Sequence, residues 1–210
     1  FCREKAQRAA GSGTMIPRLP KGFSHPMEIG EGGFASVYRV RQNALDRWVA
    51  IKIIHEKNPS IQQNVLKEAR TQAQIHATCI PQIYDAFLWK NRICFVMQWI
   101  KGCSLQRILQ NNPSSEQRLW LANGTIEALA QLHALGFVHR DLKPANILVS
   151  PEEGMFLVDF GLTKSIADKF RTVGGIVKGT PAYMAPELWS GNNSIDPVKA
   201  DMYSAGLILR

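Results

Sequence analysis

The glycine-rich segment 30–37 is the first part of the chain whose composition suggests chemistry. It reads Gly30-Glu31-Gly32-Gly33-Phe34-Ala35-Ser36-Val37, so an alanine stands at the third position of a G-x-G-x-x-G pattern. Glycines between two strands let backbone N–H groups approach phosphate oxygens, because no Cβ stands in the way. A dinucleotide fingerprint or a Walker loop would continue into a helix, whereas strand-like sequence follows here. The pattern favours a phosphate-binding turn, with an ordinary glycine turn as the alternative.

Lys52 lies in the apolar run 48–54, which predicts a buried strand. A charge in such a strand needs a partner, and Glu68 on the next predicted helix is suited to orient it. Lys52 would then bind phosphate as a compact point charge. The alternative is a lysine at a sheet edge that reaches water.

The elements that must position these residues change character along the chain. Apolar and β-branched runs predict strands first, in an antiparallel meander with one helix, and helical spacing dominates after residue 103. The predicted strands cover 28–29, 36–41, 48–54, 83–88 and 93–99, and the predicted helices cover 60–78, 104–111 and 115–135. The sequence therefore predicts an α+β fold.

The composition excludes several classes of protein. Hydrophobic residues make up 45% and charged residues 20%, which is typical of a globular chain and not of a disordered one. The net charge of +8 permits nucleic acid, membrane or phosphate partners without selecting among them. Four scattered cysteines without paired spacing argue against a disulfide framework or a zinc cluster, and favour free thiols in a reducing cytosol. No apolar stretch approaches the length of about 20 residues that spans a bilayer.

The two ends of the sequence look like cut points. Residues 1–24 are basic and rich in Gly, Ser and Pro, which predicts a linker or an upstream fragment rather than an anion-binding arm. The chain begins without Met, and it stops at Arg210 within an apolar run. We expect a cytoplasmic location, with a membrane anchor outside the fragment left open.

Three further motifs follow the long predicted helix. They are His139-Arg140-Asp141-Leu142-Lys143-Pro144-Ala145-Asn146, Asp159-Phe160-Gly161 and Ala185-Pro186-Glu187. With the glycine-rich segment and Val49-Ala50-Ile51-Lys52, they make five motifs in the order found in eukaryotic-type (Hanks-type) serine/threonine protein kinases, which the chain resembles. The resemblance implies a bilobal kinase domain over 25–210, with a β-rich N-lobe at about 25–98, a hinge at 98–103 and an incomplete, truncated helical C-lobe at 104–210.

The resemblance also implies transfer of the ATP γ-phosphate to serine and threonine hydroxyls of protein substrates. Asp141 would face the acceptor hydroxyl, and Asn146 and Asp159 would hold Mg²⁺, with Mn²⁺ as the alternative. Lys143 is typical of the serine/threonine class, and Thr180 would bridge Asp141 and Lys143. Lys52 and Glu68 complete the expected catalytic set.

An ATP site follows from the same resemblance. Val37 and Ala50 would cover one face of adenine and Leu148 the other, and the backbones of Gln98 and Ile100 would bind its edge. The expected set, with Met97 as gatekeeper, is Ile29, Gly30, Glu31, Gly32, Gly33, Phe34, Ala35, Ser36, Val37, Ala50, Lys52, Met97, Gln98, Ile100 and Leu148. For the apolar members, an ordinary core role is the alternative and agrees with the same placement.

Two expectations concern support and regulation. Asp201, at the start of a sequence resembling the central C-lobe helix, would hold the backbone of His139 and Arg140. Arg140 is typical of kinases whose activation loop is phosphorylated, and Thr172 is predicted as the main autophosphorylation site.

Three functions remain in competition. The first is an active protein kinase, the second a pseudokinase-like ATP-binding or scaffold module, and the third a small-molecule kinase. Retention of Lys52, Asp141 and Asp159 favours activity, and the Ala-Pro-Glu and Gly-Thr-x-x-Tyr segments favour a protein acceptor. No nucleic-acid partner is expected.

Overall fold

The computed structural model describes residues 19–159, 164–165, 181–188 and 196–210, apart from the side chains of Glu68, Lys164, Ser165 and Pro181. These residues form two compact units. The first comprises Gln82–Trp99 and the described residues of Phe1–Lys67. The second comprises Glu68–Pro81 and the described residues of Ile100–Arg210.

A five-stranded antiparallel sheet forms most of the first unit. Its strands are β1 (Phe23–Glu31), β2 (Ala35–Gln42), β3 (Arg47–Ile54), β4 (Ile83–Trp89) and β5 (Arg92–Gln98), in the order β1-β2-β3-β5-β4. The first three strands form the predicted meander, and the β4–β5 hairpin joins it through β5. Branched side chains favour these strands because they pack well on a pleated surface. The core of this sheet consists of Val40, Val49, Ile51, Ile53, Cys94 and Val96.

Helix α1 (Pro59–Ala73) ends earlier than the predicted range 60–78. The N–H of Gln74 donates to the carbonyl of Thr71, and the N–H of Ile75 donates to that of Gln72, which is the tighter spacing that closes a helix. Ile75 is instead buried in the core of the second unit. Its helical spacing therefore reflected tertiary burial, and the predicted helix end was wrong.

The second unit is mainly helical. It contains α2 (Leu105–Leu109), α3 (Ser115–Ala134) and α4 (Pro197–Ile208), with the short strands β6 (Cys103–Ser104), β7 (Phe137–Val138), β8 (Ile147–Ser150), β9 (Gly154–Leu157) and β10 (Lys164–Ser165). The predicted helices at 104–111 and 115–135 are confirmed as α2 and α3, with ends that differ by at most two residues. Ser104 and Ser114 are their N-caps, and their side chains accept from Arg107 N and Gln117 N. Among the described helices, none has the length and apolar character to cross a membrane.

Candidate active site

Residues 139–146 form a loop between β7 and β8 that gathers three of the predicted side chains. Lys143 Nζ donates to Asp141 Oδ2 at 2.8 Å, and Asn146 Nδ2 donates to the same oxygen at 3.2 Å. Asn146 Nδ2 also donates to the backbone oxygen of Asp141 at 2.9 Å. The Asp141 and Lys143 side chains remain 18% and 26% exposed. The loop thus holds a carboxylate with two donors while leaving it accessible from solvent.

The backbone of this loop is fixed by the buried carboxylate of Asp201 on α4. Asp201 is 1% exposed, and it accepts from His139 N at 2.7 Å and from Arg140 N at 2.8 Å. His133 Nε2, near the end of α3, donates to Asp201 Oδ2 at 3.0 Å. Arg140 has φ +65°, a conformation that is uncommon outside glycine. The expected role of Asp201 is confirmed, whereas the contact from His133 was not predicted.

His139 connects the loop to the strand that precedes Asp159. Its Nε2 lies 3.0 Å from the carbonyl oxygen of Val158, and because a carbonyl only accepts, Nε2 carries the proton. Nδ1 then accepts from the N–H of Asp141 at 3.4 Å. Burial lowers the pKa of His139, which favours the neutral ring, and the Val158 carbonyl selects this tautomer. The neutral ring therefore links the backbone of Val158 to that of Asp141 through two hydrogen bonds.

Asn146 and Asp159 are suited to hold a divalent cation. The N–H of Val158 donates to the carbonyl of Asn146 at 2.9 Å, which brings the start of the Asp159 segment beside Asn146. Within the described residues, the side-chain hydrogen bonds of Asn146 both use Nδ2, so Oδ1 remains as an oxygen ligand. Asp159 is exposed. An amide oxygen and a carboxylate are ligands that Mg²⁺ accepts, so the donor set fits this ion.

The glycine-rich segment forms the turn between β1 and β2 in the first unit. The N–H of Gly32 donates to the carbonyl of Ala35 at 3.0 Å. Among the described residues, a Cβ added at Gly30, Gly32 or Gly33 would meet no atom closer than 3.8 Å, and none of the three glycines has a positive φ. The packing of the part of the chain that the structure describes therefore does not require glycine at these positions. A ligand that approaches the backbone closely would explain them.

His55, directly after β3, holds this turn and was not predicted. Its N–H donates to the carbonyl of Phe34 at 2.9 Å. Its ring Nδ1 lies 3.3 Å from the carbonyl oxygen of Gly33, and Nε2 lies 2.8 Å from Ser36 Oγ. Because the carbonyl only accepts, Nδ1 donates, and in the neutral ring Nε2 accepts the hydroxyl of Ser36.

Strand pairing places the predicted lysine and adenine contacts on one face of the sheet. Lys52 pairs in register with Val37, and Ala50 pairs with Met97 on the other side of β3. Paired residues share a face, and residues two apart on a strand do so as well. The N–H of Gln98 donates to the carbonyl of Gln82 at 2.8 Å at the end of β5.

The remaining predicted contacts are distributed over both units. Ile29 and Phe34 are exposed on the glycine-rich hairpin, and Glu31 pairs with Ser36. In the second unit, Leu148 on β8 pairs with Ser104, and Ile100 is buried.

Several predicted residues lie outside the described part of the chain. These are residues 1–18, Phe160, Gly161, Thr172 and Thr180, together with the side chain of Glu68. The Lys52–Glu68 pair, the Thr180 bridge and phosphorylation at Thr172 therefore stay predictions.

Comparison with known proteins gives consistent matches over almost the whole chain. The family model of the protein kinase domain matches residues 23–210. The probable serine/threonine-protein kinase pknA2 of Bifidobacterium longum is 35% identical over 188 residues, covering 86% of this chain and 25% of that protein. The serine/threonine-protein kinase PknL of Mycobacterium tuberculosis is 33% identical over 187 residues, covering 87% and 46%.

A plant protein shows a similar match. The putative CBL-interacting protein kinase 13 of Oryza sativa subsp. japonica is 34% identical over 188 residues, covering 86% of this chain and 36% of that protein. The chain therefore spans less than half the length of each of these relatives.

Proposed function

This chain belongs to the protein kinase family, and we propose that it transfers the γ-phosphate of ATP to serine and threonine hydroxyls of protein substrates. The match and the two units confirm the predicted α+β kinase fold. The observation that carries the proposal is the cluster of Asp141, Lys143 and Asn146 on one accessible loop. Phosphoryl transfer depends on positioning and charge neutralisation, and this cluster offers a carboxylate, a cation and an oxygen ligand.

Each member of the cluster has a distinct role in the proposed reaction. Asp141 accepts a hydrogen bond from the acceptor hydroxyl, orients its oxygen and takes its proton late in the transfer. Lys143 fixes Asp141 Oδ2, and its charge offsets the negative charge of the phosphoryl group. Thr180 would bridge these two side chains.

Two further sets of residues are proposed to contact the metal ion and the phosphates. Mg²⁺, or Mn²⁺ as the alternative, would be held by Asn146 and Asp159, and when bound it supplies neutralisation of the phosphate charge. Lys52, oriented by Glu68, would bind phosphate oxygens. The backbone N–H groups of 30–37 would approach the phosphates, which agrees with the lack of close contacts around the glycines of this segment among the described residues.

The choice of acceptor rests on two features. Lys143 is typical of kinases that act on serine and threonine, and the relatives described above carry that activity in their names. Regulation by autophosphorylation at Thr172 belongs to the same proposal, because Arg140 is positioned directly before Asp141 and would pair with an anion.

The proposal is tested with Asp141→Asn in the full-length protein, a generic basic protein as acceptor and radiolabelled ATP. Phosphate transfer should fall about 100-fold or more, because the oriented carboxylate is lost. ATP binding should persist, and the exposed Asp85→Asn should retain full activity.

Three outcomes would reject the proposal. Full activity of Asp141→Asn would remove the role of this carboxylate. A wild-type protein that binds ATP without transferring phosphate would favour the scaffold alternative. Transfer to an aminoglycoside or choline, with none to protein, would favour a small-molecule kinase.

A further inference from the structure

Arg39 on β2 lies between two indole rings. Its guanidinium carbon is 4.5 Å from the ring centroid of Trp48 and 5.1 Å from that of Trp99. The two ring centroids are 6.5 Å apart with an interplanar angle of 58°. All three residues are partly buried, and cation–π contacts are stronger where water is partly excluded. We call this group of three side chains the Arg39 clamp.

The Arg39 clamp lies on the face of the sheet that carries the proposed adenine contacts. Arg39 pairs in register with Ala50, and Val37, two residues earlier on β2, pairs with Lys52. Paired side chains lie on the same face of a sheet. Arg39 therefore projects beside the residue that is proposed to cover the adenine ring.

The second indole of the clamp belongs to the segment that would bind the adenine edge. Trp99 directly follows β5, and its sequence neighbours are Gln98 and Ile100. The backbones of these two neighbours are the proposed partners of the adenine ring. A side chain that is held at Trp99 restricts the backbone dihedrals between them.

We propose that Arg39 is a positioning residue for adenine recognition, which acts by holding Trp99 and thereby the backbone of 98–100. The inference rests on the proposed use of ATP. A backbone that is ordered before binding loses less conformational entropy when the ligand arrives. The clamp should therefore raise the affinity for the adenine part of ATP and leave the chemical step at Asp141 unchanged.

Arg41 provides a matched comparison on the same strand. Its guanidinium carbon lies 5.5 Å from the Trp48 centroid, and its Nη2 forms an ion pair with Asp46 at 2.6 Å. Among the described residues, Trp48 is the aromatic ring over which Arg41 stacks. Arg41 shares the strand, the charge and one indole with Arg39, but it does not stack on Trp99.

The test compares Arg39→Met with Arg41→Met in the full-length protein. Arg39→Met keeps the side-chain length and removes the charge, so the KM for ATP should rise about fivefold while kcat stays within about twofold. Arg41→Met should leave both constants unchanged. Adenosine binding measured by calorimetry should weaken by the same factor as ATP binding, whereas binding of magnesium tripolyphosphate, which lacks adenine, should not change.

Two results would overturn the inference. A lower melting temperature with an unchanged KM would show that the clamp only stabilises the fold. An equal loss of affinity for tripolyphosphate would show that the effect does not pass through adenine.

A double-mutant cycle tests whether Arg39 acts through Trp99. Trp99→Leu should raise the KM as Arg39→Met does, and the double variant should show no further rise, because both changes remove one contact. Independent, multiplying effects would contradict the inference. If Arg39→Met fails to fold, Arg39→Lys is used instead, because lysine keeps the charge but cannot stack as a planar group. Arg39→Lys should give a KM between those expected for the wild type and Arg39→Met. A KM equal to that of the wild type would reject the proposal.

Failure of the proposed function gives a different result. A wild-type protein that binds ATP but transfers no phosphate would end the kinase proposal, while adenosine calorimetry on the Arg39 variants would still decide the role of the clamp.

Discussion

Replacing Asp201 by asparagine removes one charge from the most heavily used buried carboxylate of the described site. Its two oxygens accept from His139 N, Arg140 N and His133 Nε2 at 2.7, 2.8 and 3.0 Å. Asparagine has one acceptor oxygen, so its NH₂ group must face at least one of these donors. In either orientation of the amide, a backbone N–H loses its acceptor: that of His139, which is buried, or that of Arg140, which is partly buried.

The expected loss of stability follows from these contacts. A buried donor without a partner costs about 1–3 kcal/mol, and the remaining bonds weaken because the acceptor is no longer charged. The free energy of unfolding should fall by roughly 2–4 kcal/mol. Since Arg140 and Asp141 are adjacent, kcat should fall at least about tenfold, with a smaller change in the KM for ATP.

The assay is urea unfolding of the full-length protein, followed through the transition that a non-hydrolysable ATP analogue shifts. Asp196→Asn is the matched control on the same helix. Asp196 is the exposed N-cap of α4 and accepts from Val198 N and Lys199 N, and asparagine caps helices equally well. The control should change stability by less than about 0.5 kcal/mol. Equal losses in the two variants would refute the reasoning about the buried carboxylate.

The hydrogen bonds of His55 and the burial of two cysteines give further predictions. His55→Ala removes both side-chain hydrogen bonds to the glycine-rich turn, so the KM for ATP should rise about three- to tenfold in steady-state assays while kcat stays nearly constant. The control His76→Ala changes an exposed histidine and should match the wild type. An unchanged KM in His55→Ala would contradict the role of His55. Burial raises the pKa of Cys79 and Cys94 from 9.0 to about 11. At pH 8, iodoacetamide should therefore alkylate both thiols at least roughly 100-fold more slowly in the folded protein than in urea. Mass spectrometry measures the two alkylation rates. The stability that these neutral thiols contribute is fully present below pH 9 and is lost as the pH rises towards 11. Equal alkylation rates in the folded protein and in urea would show that neither thiol is protected.

The motifs of the site were visible in the sequence because each lies within a few consecutive residues. The resemblance of the 139–146 motif to that of protein kinases predicted that Asp141, Lys143 and Asn146 act together, and their hydrogen bonds agree with that prediction. Asp201 was expected through the resemblance of its helix, although it lies far along the chain. Local patterns could therefore identify the groups proposed to react and one of their supports.

The Arg39 clamp and the His55 contacts could not be predicted in the same way. Arg39 meets Trp48 because β2 and β3 pair in a particular register, and it meets Trp99 because β5 lies beside β3. A shift of register by one residue would move Arg39 to the opposite face of the sheet. These contacts depend on pairing between distant segments, which no single motif encodes.

The described site separates exposed reacting groups from buried supporting groups. Asp141 and Lys143 must meet a substrate, so burial cannot fix their directions. Their geometry must instead come from neighbours that do not touch the substrate, and His139 and Asp201 are two such buried neighbours. A change at such a support alters the direction of the Asp141 carboxylate without removing it. Variants of these residues should therefore lower kcat more than they weaken ATP binding, whereas changes at Arg39 or His55 should do the reverse.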